Sequence, residues 1–183
     1  MTQSILIHLA TGFEEVEAIT IIDVLRRANL NVVTVSVTGN RKVTGAHQIP
    51  VEADVLFEEA NYTSASMLIL PGGMPGTSNL MNHQGLKDQL KNFNDNKKPI
   101  GAICAAPMVL GSLGILKGKK AVCYPGFESK LTGASVLQVP YITDGNIITG
   151  KGVGAALDFS LEIVRILKGE VMASELRTAL VMN

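Results

Sequence analysis

The sequence predicts an α/β fold, with a parallel or mixed sheet covered by helices on both faces. Three observations carry this. Continuous apolar runs at 5–9 and 67–70 are what strands buried on both faces require. Longer stretches with helical apolar spacing lie between such runs, the alternation of a layered α/β domain. Turn residues, among them Gly12, Pro71-Gly72-Gly73 and Gly169, fall where one kind of pattern gives way to the other. No internal repeat, linker or low-complexity tract interrupts the pattern. The 183 residues read as one domain, 1–183, long enough to bury a sizeable core without staples.

Taken in order, 5–9 is apolar apart from His8, and 14–29 follows as a helix. Acids open that helix and Arg26-Arg27 close it, as the helix dipole favours. A second strand spans 31–37, and 43–53 forms a hairpin or extended excursion around Gly45 and Pro50. The third buried strand, 67–70, ends in Pro71-Gly72-Gly73. Helix 85–93, strand 99–103 and helix 105–113 come next, then strands at 120–123 and 146–149. Helix 152–167 is closed by Gly169, and 170–181 adds a last helix. The first helix is apolar over more than one stripe, through Val16, Ile19, Ile21, Ile22, Val24, Leu25 and Ala28. It therefore covers the sheet and meets something else as well, a second subunit being the simplest candidate; full burial within the monomer is the alternative.

Composition narrows the function. Lys and Arg number 16, and so do Asp and Glu, so no basic surplus argues for nucleic acid. No apolar run reaches the roughly 18 residues a membrane span needs, and the first residues lack the charged and small-residue pattern of a signal peptide. The two cysteines, Cys104 and Cys123, match no zinc spacing, and a count of two argues against a disulfide scaffold. A reducing, cytoplasmic setting is the expectation, with no membrane partner.

The sharpest local signal is Pro99-Ile100-Gly101-Ala102-Ile103-Cys104-Ala105-Ala106-Pro107. A buried strand runs straight into a cysteine followed by small residues, the layout of a nucleophile elbow. A thiolate at such a helix start is favoured by the dipole and by free amides. An arbitrary free cysteine is more often buried and inert; that remains the reading for Cys123, inside a strand pattern. Leu70-Pro71-Gly72-Gly73 could aim backbone amides at an oxyanion or a sulfur oxyacid, although Pro-Gly-Gly is also a common turn. Glu14-Glu15-Val16-Glu17 would serve a helix start on electrostatic grounds alone. One of these acids, partly buried beside a thiolate, would stay protonated and donate to it. All three elements follow the carboxyl ends of strands, where open α/β sheets place their ligands. Of the histidines, His8 reads as a satisfied core residue, His47 as a residue at a pocket rim, and His83 as solvated. No pair has metal-ligand spacing, and no metal is expected.

These three motifs, with Gly150-Lys151-Gly152-Val153-Gly154, occur in the order and spacing of the ThiJ/PfpI superfamily, in the subgroup around the Parkinsonism-associated deglycase. The chain resembles that family over essentially its whole length. The resemblance implies a flavodoxin-like three-layer sandwich and a homodimer. By position it makes Cys104 the nucleophile and Glu17 its acid partner, with the amides of Gly73 (next to Gly72) and Ala105 near the sulfur. Tyr124 stands where the subgroup has a histidine, and His47 where it has an arginine at the pocket edge. Both bear on substrate choice. Protease-like members carry a histidine directly after the cysteine; Ala105 stands there instead and counts against a Cys-His peptidase.

The function implied is a cofactor-independent, cysteine-dependent enzyme for reactive dicarbonyls or their protein adducts, of deglycase or glyoxalase type, in stress protection. Its substrate would be a small aldehyde or dicarbonyl, and possible partners include glycated protein. The alternative is a redox-sensing oxidative-stress chaperone in which Cys104 is oxidised. An intracellular peptidase and a thiazole monophosphate biosynthesis protein are weaker readings, the latter because no phosphate cradle is evident.

Overall fold

A computed structural model describes residues 3–182. In chain order the elements are β1 (Ser4–Leu9), α1 (Glu15–Arg27), β2 (Asn31–Ser36), β3 (Lys42–Thr44), β4 (Pro50–Glu52), β5 (Val55–Leu56), β6 (Ala65–Leu70), α2 (Gly76–Asn82), α3 (Gln84–Asp95), β7 (Ile100–Ile103), α4 (Pro107–Ser112), β8 (Lys120–Ala121), β9 (Ser135–Val136), β10 (Tyr141–Asp144), β11 (Ile147–Gly150), α5 (Ala156–Lys168) and α6 (Glu170–Ala179). Seven strands make the central sheet in the order β10-β11-β7-β6-β1-β2-β5. All its pairings are parallel except the β10–β11 edge hairpin.

The period of two along β1 divides the core. Ile5, Ile7 and Leu9 point to one face and pack with Ile21 and Leu25 of α1 and Phe159 and Ile163 of α5. Leu6 points to the other, with Leu86, Leu90 and Phe93 of α3 and Val109 and Leu110 of α4. Burial on both faces is why the strand reads as an unbroken apolar run. The expected three-layer α/β sandwich is the architecture found.

Several boundaries differ from the sequence reading. The strand read at 120–123 ends at Ala121, because the Val122 amide donates to Thr149 Oγ1 (2.9 Å) instead of a ladder. The helix read at 105–113 begins only at Pro107, and that read at 152–167 only at Ala156, after a single tight turn at Val153–Ala155. The edge strand β10 and the short helix α2 carry no clear apolar period and were not expected. The 43–53 excursion is the antiparallel β3–β4 hairpin.

His8 is the satisfied core residue anticipated: Nε2 lies 2.9 Å from Tyr62 Oη and Nδ1 lies 3.4 Å from the Ile69 carbonyl. Burial pulls its pKa down to about 3, so the ring is neutral. His83 is half-buried rather than solvated. Its Nδ1 accepts from the Leu86 amide (3.1 Å) at the start of α3, and its ring packs against Phe57.

Candidate functional site

The site forms where β1, β6 and β7, adjacent in the sheet, deliver their following loops to one edge. Cys104 directly follows β7 with φ +66°, a left-handed conformation that an L-residue adopts at a cost. Its amide donates to the Gly150 carbonyl (2.9 Å) and its carbonyl accepts from the Tyr124 amide (2.8 Å), which pins the turn. The side chain is half-buried. The amides of Gly73 and Ala105 point at its sulfur.

Glu17, in the first turn of α1, is fully buried. Its Oε2 accepts from the Gly72 amide (2.9 Å), while Oε1 has no hydrogen-bond partner among the described residues. Gly72 has no room for a side chain, since a Cβ there would lie 2.5 Å from Cys104 Cβ and 2.8 Å from Glu17 Oε2. Gly73 adopts φ +91°, open to glycine without strain. The Pro-Gly-Gly turn thus lets the backbone pass between acid and thiol.

Burial pushes the Glu17 carboxyl up to about 7, against the Gly72 amide and the Cys104 thiol, which pull it down. Burial first, and then the negative charge of Glu17, push the Cys104 thiol up to about 12; the Gly73 and Ala105 amides act in the opposite sense. The two groups compete for a proton. While Glu17 is ionised, the sulfur keeps its hydrogen. A proton placed on Glu17 removes the charge that opposes the thiolate and turns the carboxyl into a donor.

Cys123 is buried, and its thiol is pushed up to about 11 by burial and then by the charge of Glu128. No backbone amide acts on that sulfur to lower it. What distinguishes Cys104 is the means to hold a sulfur anion, rather than a lower resting pKa.

Tyr124 is half-exposed beside Gly152; a Cβ on Gly152 would lie 3.3 Å from its ring and 3.9 Å from Glu17 Oε1. Both residues line a cavity of about 640 Å³, with Gln138, Pro140, Lys151 and Ala155. The structure therefore gathers Cys104, Glu17, Gly72, Gly73, Ala105 and Tyr124. His47 stands apart: its ring Nδ1 is 2.8 Å from Glu15 Oε2 on the outer side of the first turn of α1, and its side chain is largely exposed. Lys151 and Gly152 are pocket residues that the sequence analysis does not assign to the site. Their motif follows β11, at the same end of the sheet as Cys104, and that position was the available signal.

Comparisons with known proteins agree with this arrangement. A family model described as the DJ-1/PfpI family matches residues 3–166. Protein DJ-1 homolog B of Arabidopsis thaliana is 40% identical over 97% of this chain, which spans only 41% of that protein's length. A protein of Pyrococcus abyssi named a deglycase is 31% identical over 90% of this chain and 99% of its own length. The solved structure of oxidized Toxoplasma gondii DJ-1 superposes with a TM-score of 0.94 at 32% identity, covering 98% of each chain. A match over nearly the whole chain, in sequence and in backbone, leaves one assignment: this chain belongs to the DJ-1/PfpI family.

Proposed function

We propose that the chain, as one domain over 1–183, is a cofactor-independent enzyme acting on reactive dicarbonyls or their protein adducts, with Cys104 as nucleophile. The observation that carries this reading is the pairing of a strained cysteine, met by two amides, with a buried carboxyl whose pKa lies near neutrality. The likeness to a protein named a deglycase supports it.

Glu17 takes the thiol proton as the sulfur adds to the aldehyde carbon, and the same proton then goes to the new alkoxide, giving a hemithioacetal. The amides of Gly73 and Ala105, aimed at the sulfur, flank the position where that oxygen charge develops. Ionised again, Glu17 removes the proton on the former aldehyde carbon. The resulting enediol collapses, with a proton returned to the neighbouring carbon, to a thioester of a 2-hydroxy acid. Water hydrolyses that thioester and restores the thiol, so the net change is dicarbonyl plus water to hydroxy acid. Tyr124 and the cavity beside it would receive the rest of the substrate.

Turnover of methylglyoxal by metal-free protein tests the reading. The wild type should form a 2-hydroxy acid, and Cys104→Ala should lose at least about a thousandfold in kcat/KM. Turnover unchanged in Cys104→Ala would overturn it.

A second reading is redox sensing, favoured by the similarity to a DJ-1 structure described as oxidized. Oxidation of Cys104 to a sulfinic acid would place its oxygens against the same amides and a protonated Glu17. In its favour would be mild peroxide modifying Cys104 ahead of Cys123 in a protein that turns over no dicarbonyl.

The assembly that fits is a homodimer. Val16, Ile19 and Ile49 are exposed together along the outer side of α1 and the adjoining hairpin, an apolar surface that a second copy would cover. Two free thiols suit a reducing, cytoplasmic setting. No helix among the described residues is long and apolar enough to cross a membrane.

A further inference from the structure

We propose that Glu14, Glu15 and His47 form a binding site for a divalent transition-metal ion of the zinc class, outside the thiol site. Each offers one ligand atom, and the three atoms lie within 4.8 Å of one another. His47 Nδ1 is 2.8 Å from Glu15 Oε2 and 3.7 Å from Glu14 Oε2. An ion bound at about 2.1 Å from each donor would set donors roughly 3.0 Å apart in octahedral geometry and roughly 3.4 Å apart in tetrahedral geometry. The two separations from the imidazole bracket both values, and the two carboxylates lie within 4.8 Å of each other, so side-chain rotation must bring Glu14 inward to close the triangle.

The donors suit such an ion. One imidazole and two carboxylates favour zinc and its neighbours over calcium or magnesium, which take oxygen alone. No thiolate is needed. The charge points the same way, for two carboxylates meet here and neither pairs with a lysine or arginine among the described residues. The histidine is the group they share, and it is neutral when unprotonated. His47 is 68% exposed in the single chain, so water, or a group from the second copy that would cover this side of α1, can complete the coordination.

The backbone prearranges the site. The β3–β4 hairpin is tied to the β1–α1 loop by Gly12 amide to Thr44 carbonyl and Ala46 amide to Phe13 carbonyl, both 2.8 Å. Gly45 packs directly on the Glu15 carboxyl, where a Cβ would overlap it. Glu15 Oε1 is fixed by the His47 amide (2.6 Å), which leaves Oε2 directed at the imidazole. The second ligand is thus held in place before any ion arrives.

Binding displaces the proton between His47 and Glu15, so affinity should fall as the pH is lowered through the titration of His47. The test is isothermal titration of Zn²⁺, with Co²⁺ visible absorption as a second readout, into Cys104→Ser protein, which removes the competing thiol. One saturable site per chain is expected, weaker at pH 5.5 than at pH 7.5. His47→Arg in the same background should weaken it by at least about tenfold, as should Glu14→Ala, whose side chain otherwise makes a long contact to the Val16 amide (3.4 Å) and a 3.7 Å approach to His47. Thermal melts would show that both variants fold. Absence of a saturable site, or an affinity that neither substitution changes, would overturn the proposal.

Discussion

Glu17 is the buried acid of the candidate site. A carboxyl with no exposure is costly to ionise, and only the Gly72 amide and the thiol offset that cost. Its pKa in the fold, about 7 against 4.5, is raised. The fold therefore prefers the protonated form. The stability this contributes is fully present below about pH 4.5 and is lost as pH rises through about 7. Glu17→Gln, which stays neutral, should match the wild type at pH 4.5. It should become the more stable of the two by about 3 kcal/mol above pH 8, read from denaturant midpoints across pH. The same variant keeps a donor toward the sulfur and cannot relay protons, so dicarbonyl turnover should collapse. Glu17→Leu should lose both the donor and turnover. Equal pH profiles for Glu17→Gln and wild type would show that the carboxyl is not held protonated by the fold.

At the scale of elements, the first turn of α1 is also a structural joint. Burial acts to raise the Glu15 carboxyl, but the His47 ring and the amides of Glu15, His47 and Ile49 outweigh it and hold it below the usual range. Those bonds fasten the β3–β4 hairpin to the helix. Glu15→Ala should therefore destabilise the chain by about 3 kcal/mol at pH 7, through lost charge-assisted hydrogen bonds and amides left unpaired. A depressed carboxyl stabilises above its unfolded pKa, so the difference from wild type should shrink as pH falls through the folded value. Hydrogen exchange should show the hairpin amides losing protection before the central strands. Uniform loss of protection across the sheet would show that Glu15 is not a local joint.

For the whole molecule, the question raised by the first helix is what covers its second apolar stripe. Within the chain, Ile21, Val24 and Leu25 are buried against the sheet and α5. Val16 and Ile19 are left 51% and 46% exposed, with Ile49 beside them at 55%. Sedimentation of a dilute sample should give a dimer, and Ile19→Glu should shift it to monomer by placing a charge in the contact. A monomeric wild type would sink the homodimer.

Sequence alone was sufficient for the layers, because two-faced burial leaves continuous apolar runs and helix packing leaves a 3.6-residue period. It was sufficient for the elbow too: a strand that ends at a cysteine among small residues has few other uses. Periodicity could not reveal β10, whose residues are all only half-buried at the sheet edge, nor α2, whose buried residues Gly76, Thr77 and Leu80 include a single apolar side chain. Which of three neighbouring glutamates would be buried against the thiol and which would pin the hairpin was decided by tertiary structure. Glu15 and Glu17 are nearly adjacent in sequence, and both are acids at a helix start. Only the packing of Gly72 on one and Gly45 on the other separates the buried acid beside the thiol from the joint that holds the hairpin. The resting protonation of Cys104 was decided there as well, since it depends on burial and on the charge of a residue 87 positions away in the chain.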